Sequence, residues 1–265
     1  MTGQAKEDNA LPHYKQPPII EVACGLTFDP LESLLVPHYG MFWERIKKDF
    51  PDCEHAPHLG ELPPAMTSTE FPLPRVWFIN SADDNVIQLQ RDRFFFNWRR
   101  SAPVEKYPRY EFVIKSFREY LTEFSRFLSD HELGEMKPTQ CELTYTNHIP
   151  EGEGWSSIDE IEKVMRDVIW SNETKSFLPS PQTIGWDTRF ELPEANGVLS
   201  GSLRSGVRKT DGKRLFILTL SAIGIGQERS LDAIWQWYDL AHVWIVNGFA
   251  DLTTEQIQAN VWGKL

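Results

Sequence analysis

At 265 residues the chain can bury a sizeable core as one large domain or two small halves. Its net charge of −11 repels phosphate backbones unless cations are segregated, which disfavours general nucleic-acid binding. Three cysteines without a CxxC (Cys24, Cys53 and Cys141) argue against a disulfide frame or a zinc finger and for a reducing compartment, and no apolar run nears the roughly 20 residues that span a bilayer.

Residues 1–16 are polar, of mixed charge and without the apolar centre of a signal peptide. They read as a flexible lead-in to a cytoplasmic protein that makes no membrane contact. The stretch "PPIIEVACGLTF" then alternates, with Ile20, Val22, Cys24 and Leu26 on one side, and Pro17 and Pro18 delay the strand's start. Helical spacing of Phe42, Trp43, Ile46 and Phe50 follows, with Pro37 in the first turn. Six prolines between residues 51 and 74 predict an extended loop laid over the surface.

A hairpin comes next: Val76 and Phe78 face Ile87 and Leu89 around "NSADDN", and a reversal at "RDR" leads into "FFFNWRR". Pro108 is expected to open a long helix with Tyr110, Ile114, Phe117, Leu121, Phe124 and Leu128 on one stripe. The second part runs in the same order. "CELTYTNHI" is a strand, and "SSIDEIEKVMRDVIW" is a helix capped by Ser157 with Glu160 three positions on. Three strands, "TIGWDTRFEL", "VLSGSLRSGV" and "RLFILTLSAI", follow, the last two joined by a turn at "KTDGK". "SLDAIWQWYDLAHVWIVNGF" is a helix apolar on most sides, read as central and buried, with Ser230 as its N-cap.

The expected fold is therefore α+β. Two pseudo-repeated halves, 17–138 and 139–265, form one curved antiparallel sheet gripped by long helices, a helix-grip or TBP-like duplication in one compact unit.

Three stretches carry a resemblance: "YKQPPIIEVACGLTF", "RFFFNWRR" with "YPRYE", and "AHVWIVNGFADLTTEQIQANVWG". Together they resemble a sporadically distributed prokaryotic family of uncharacterised proteins of about this size. The resemblance implies no cofactor and no catalytic set. Patchy distribution is associated with cargo of mobile elements such as phage defence or toxin–antitoxin modules.

Candidate site residues come from the strand "FFFNWRR". Phe94, Phe96 and Trp98 share one face; Phe95, Asn97 and Arg99 share the other. With helices on the apolar side only, the second set lies on an open face able to meet a ligand or partner. Glu21, the one charge of the first strand, points to the same face and can reach Arg99 if the strands adjoin. Arg109 joins the set from the cation-rich stretch 91–111, whose charges flank turns and imitate a single-strand-binding surface. The plainer reading is that Asn97 satisfies nearby backbone and Arg99 pairs with a neighbouring carboxylate.

Other chemistry is thin. Cys53, His55 and His58, with Glu54 or Glu61 as a candidate fourth ligand, sit in the proline-rich stretch without a second ligand cluster, so no metal is expected. Asp239 and His242, three apart on the last helix, form a weak polar pair with no nucleophile in a suitable turn. "GIGQERS" lacks the Lys-Ser/Thr of a nucleotide loop. The leading reading is a non-enzymatic interaction module, dimeric or bound to another protein. The alternatives are a small-molecule or nucleotide sensor with its ligand between sheet and helices, and a hydrolase using Glu21, Asp239 and His242.

Overall fold

A computed structural model describes residues 11–59, 74–102, 106–170 and 177–265. Its strands are β1 (Ile19–Phe28), β2 (Asp52–Ala56), β3 (Arg75–Ile79), β4 (Asn85–Gln90), β5 (Arg93–Arg99), β6 (Pro138–Pro150), β7 (Gly185–Glu191), β8 (Val198–Val207) and β9 (Arg214–Gly224). The helices are α1 (Val36–Ile46), α2 (Tyr110–Asp130), α3 (Leu231–Leu252) and α4 (Glu255–Asn260). All nine strands join one antiparallel sheet in the order β2-β3-β4-β5-β1-β6-β9-β8-β7. The seam between the two halves of the chain is the β1–β6 pair, in which Cys24 faces Leu143 and Val22 faces Tyr145.

Period-two alternation decides the two faces of this sheet. Val22, Cys24 and Leu26 of β1, Phe94, Phe96 and Trp98 of β5, and Leu143 and Tyr145 of β6 are all buried on one face. That face is covered by α2 and α3. Phe94 stacks on Phe124 at 5.4 Å, and Phe96 stacks on Tyr120 at 6.1 Å. Phe117 links the helices by touching Tyr238 edge-on at 5.4 Å, and such pairs add about 0.5–1.5 kcal/mol beyond area burial. The stripe Tyr110, Ile114, Phe117, Leu121, Phe124 and Leu128 is buried throughout, as its spacing predicts. Among the described residues no helix packs on the opposite face, and none is long and apolar enough to cross a membrane.

Several local expectations are corrected. Part of the lead-in packs on the rest of the chain: Tyr14 is buried, bridges to Lys264, and donates its hydroxyl to Gln258 Oε1 over 3.1 Å. Residues 1–10 and 60–73 lie outside the described residues, but the proline-rich stretch holds a strand, β2, that forms the sheet edge beside β3. Pro108 does not occupy the first helical position; Arg109 is the N-cap of α2, at φ 79°.

The helix expected at "SSIDEIEKVMRDVIW" is only a 3-10 turn at Ile158–Lys163. Of the apolar residues Ile158, Ile161, Val164, Met165 and Val168, whose spacing predicts that helix, the first four are buried and Val168 is half-buried, yet the backbone is bonded elsewhere. Arg166 N–H donates to Leu252 O over 2.9 Å, and Thr254 N–H donates to Val164 O over 3.0 Å. Those bonds tie the chain to the α3–α4 junction and end the helix, tertiary pairing overriding local pattern. Ser230 caps α3 through Ala233 N–H, but α3 is not buried all round. Val243 is 40% exposed and borders a groove of about 300 Å³ with Phe190, Trp244 and Gly248.

Candidate functional site

The helix-free face of the sheet carries a hollow of about 240 Å³. Strand order and register assemble it. Trp77, Gln88, Phe95, Gly25 and Glu142 form one row across β3, β4, β5, β1 and β6, and Asn97, Ala23 and Thr144 form the next. Arg75 and Leu59 close one side, and Glu21 and Thr146 stand on the other. Leu59 is held down by two hydrogen bonds to one side chain: its N–H donates to Gln90 Oε1 over 3.0 Å, and Gln90 Nε2 donates to its carbonyl over 3.1 Å.

Within the hollow a chain of side-chain bonds crosses four strands. Trp77 Nε1 donates to Gln88 Oε1 (3.1 Å), Gln88 Nε2 donates to Asn97 Oδ1 (2.8 Å), and Asn97 Nδ2 donates to Glu21 Oε1 (2.6 Å). Each amide uses both its ends, so its orientation is set by its neighbours. Phe95 lies across β1: a Cβ added at Gly25 would sit 2.1 Å from Phe95 Cε1, so only glycine leaves room for that ring. On the far side, Thr144 Oγ1 donates to Glu142 Oε1 over 3.1 Å and lies 2.6 Å from Ser221 Oγ. Burial lifts the Glu142 carboxyl above its ordinary range, against the opposing pull of the Thr144 bond and of Arg93.

Arg75 differs from every partner in this network. It is 8% exposed, and among the described residues its Nε has no hydrogen-bond partner and it forms no ion pair; its guanidinium lies 5.4 Å from the Trp77 ring. Burial, then repulsion from Arg93, lowers its affinity for a proton.

Of the residues singled out from sequence, Glu21, Phe95 and Asn97 meet in this hollow. Their accessibility differs from expectation: Phe95 is 7% and Asn97 5% exposed, so they form floor and wall, not a free surface. Arg99 is the register partner of Glu21 across the β1–β5 pair but does not bond to it. Its Nε donates to Asp83 O over 3.0 Å and its Nη2 to Asp83 Oδ1, at the β3–β4 turn, so the plainer reading of Arg99 holds. Arg91 and Arg93 likewise pair with Glu32 and Asp92, which removes them from a phosphate-tracking stripe.

Arg109 lies on the other side of the sheet. Its Nη2 donates to Tyr14 O over 3.1 Å at the mouth of a second cavity of about 120 Å³, lined by Tyr107, Tyr110, Tyr145 and His242. There the Tyr107 and Tyr145 hydroxyls are 3.0 Å apart. Asp239 and His242 make no bond to each other, because Tyr110 stands between them. Its hydroxyl donates to Asp239 Oδ1 over 3.2 Å, and its ring lies flat on His242 at 3.9 Å and 6°. Burial pulls His242 down to about 4, against the weaker pull of Glu111 and Asp239, so the imidazole is neutral at pH 7.

Cys53 and His55 sit on the edge strand β2, and among the described residues no group of three His, Cys, Asp or Glu side chains could hold a metal ion. Glu61, weighed as a fourth ligand, lies outside the described residues.

Sequence reasoning missed Arg75, Trp77, Gln88, Glu142 and Thr144. The signal was the other parity of strands already read: each alternates with a buried apolar residue. Comparison with protein-family models, curated proteins and solved structures finds no match to this chain.

Proposed function

We propose that this protein is a non-enzymatic recognition module that receives a ligand, or a group from a partner, in the hollow on the helix-free face of its sheet. The observation that carries the reading is the side-chain chain from Trp77 to Glu21, which holds polar groups in set orientations around about 240 Å³ of space. Pre-oriented polar groups over an aromatic floor are what a small-molecule site needs, and they lose little freedom on binding. The lining of the hollow offers hydroxyls, amides and carboxylates, groups that bind and orient polar ligand atoms.

The strand order supports a helix-grip-like duplication within this reading. From the β1–β6 seam each half runs outward through its hairpins, β5-β4-β3-β2 on one side and β9-β8-β7 on the other. The patchy family distribution suggested by sequence resemblance makes a multi-component system, of the phage-defence or toxin–antitoxin kind, the setting we propose.

Native mass spectrometry of protein purified from its own cells tests the reading. The expected result is a bound mass on the wild type that disappears in Glu142→Arg, whose longer side chain fills the hollow. A wild type carrying nothing, or a bound mass unaffected by Glu142→Arg, would remove the reading.

A second reading places the ligand between sheet and helices, favoured by the neutral His242 at the cavity that Tyr107 and Tyr145 line. A bound mass lost in Tyr145→Trp but kept in Glu142→Arg would select it.

A further inference from the structure

Arg75 is a cation in a place that costs free energy to occupy. Taking an arginine out of water is tolerated when a carboxylate or several acceptors replace the solvent. Arg75 is 8% exposed and, among the described residues, makes no ion pair and leaves Nε without an acceptor. The neighbouring cations Arg93 and Arg99 are matched, by Asp92 and Asp83. The Trp77 ring at 5.4 Å gives only a partial compensation. A guanidinium held this way beside an open volume is a receptor half lacking its anion.

The rest of the lining narrows the anion. Glu21 and Glu142 are carboxylates in the same hollow, so each further negative charge on a ligand adds repulsion that water screens less in a partly enclosed space. A monoanion is tolerated where a dianion is not. Trp77 and Phe95 supply two aromatic surfaces, and about 240 Å³ exceeds the roughly 150 Å³ known to hold a benzene ring.

We propose that Arg75 is the anchor of a carboxylate-binding site in this hollow, and that its ligand is a small organic monocarboxylate with a planar, ring-sized body lying against Trp77 and Phe95. This rests on the recognition reading above and assigns its ligand class. The carboxylate takes the Nε and Nη donors of Arg75. The ring covers the Trp77–Phe95 floor, and hydrogen-bond donors on the ring face Glu21 and Glu142.

The test titrates benzoate, benzamide and inorganic phosphate into wild type, Arg75→Met, Arg75→Lys and Glu142→Gln at pH 8, followed by thermal shift and calorimetry. Benzoate is expected to raise the wild-type Tm, while the neutral isostere benzamide and inorganic phosphate leave it within error. Arg75→Met should lose the response, and Arg75→Lys should weaken it at least tenfold in Kd. Glu142→Gln removes a repelling charge and should tighten benzoate about threefold to tenfold, a gain that misfolding cannot mimic. Without ligand, Arg75→Met should melt no lower than wild type, since an uncompensated cation has been removed. Should Arg75→Met not fold, the opposite signs of Arg75→Lys and Glu142→Gln decide.

No benzoate response, equal responses to benzoate and benzamide, or a response unchanged in both Arg75→Lys and Glu142→Gln overturns the assignment. Stabilisation by inorganic phosphate alone also overturns it, in favour of a phosphate site. If benzoate fails while the mass bound to wild-type protein still vanishes in Glu142→Arg, the ligand class falls and the recognition reading stands. If no mass is bound and benzoate also fails, both fall.

Discussion

Asn97 and Glu21 face the same side of the sheet from neighbouring strands, and the amide of Asn97 donates to Glu21 Oε1 over 2.6 Å while its own oxygen accepts from Gln88. Neither residue is the register partner of the other; Asn97 sits opposite Ala23, and Glu21 opposite Arg99. The diagonal contact forms because Ala23 leaves room beside Asn97 and because Asp83 engages the Arg99 guanidinium. A wet strand face has thereby become a set of aimed polar groups.

Asn97→Leu should break this chain in the middle. It removes the donor to Glu21 and the acceptor of Gln88, both within a wall where Asn97 is only 5% exposed. Leaving buried polar partners unmade costs about 1–3 kcal/mol. Urea unfolding should show that loss, with an unchanged m-value. A variant as stable as wild type would mean that the chain contributes nothing to folding.

How far this was legible in sequence can be followed on single strands. The alternation of β5 places Phe94, Phe96 and Trp98 under the helices and Asn97 opposite them, since period two admits no other arrangement. The α2 stripe was readable for the same reason at period 3.6. Adjacency was not readable. That β1 lies between β5 and β6 depends on pairing across the whole chain, so Glu142 and Glu21 had no visible link. Arg75 follows a proline-rich stretch that masks the onset of β3, and its isolation is an absence of partners that only coordinates reveal. The failed helix after Ser157 shows the reverse case, a correct apolar stripe whose backbone is captured by the α3–α4 junction.

His242 makes stability depend on acidity. Burial holds its folded-state value at about 4, whereas an unfolded histidine titrates near 6.5. Between those values the unfolded chain binds the proton and the folded one does not, so stability falls as pH drops below about 6.5 and levels off near 4. The contribution lost between pH 7 and pH 5 is about 2 kcal/mol. His242→Phe retains a ring to lie on Tyr110 and cannot titrate. Its urea midpoint should fall less between pH 7 and pH 5 than that of wild type; equal falls in the two proteins would exclude His242 as the source.

The three thiols should react on separate clocks. Cys24 and Cys141 are buried under the helices, while Cys53 is exposed on the edge strand. A thiol reagent added to native protein should modify one cysteine per chain, and the other two only after unfolding. The Cys53 thiol is itself raised by partial burial and by Glu54, so its reaction should be slower than that of a free thiol at pH 7. Cys53→Ser should abolish the native reaction. Two fast thiols per chain would contradict the packing of α2 and α3 on β1 and β6.

Gly25 offers the sharpest check on the floor of the hollow, because the sign of its substitution should depend on one neighbour. Its backbone runs as ordinary strand, with its carbonyl accepting from the Tyr238 hydroxyl beneath, so alanine is permitted by conformation. What forbids it is Phe95, whose ring occupies the space a Cβ would need, 2.1 Å from that position. Gly25→Ala should therefore cost about 1–3 kcal/mol by displacing the ring. In a Phe95→Ala background the clash is gone, and the same change should be neutral or stabilising, by up to about 1 kcal/mol, since alanine loses less freedom than glycine on entering a strand. A double-mutant cycle by urea unfolding reads the coupling directly. A cost that persists in the Phe95→Ala background would show that something other than this ring requires the glycine, and that the floor of the hollow is built differently.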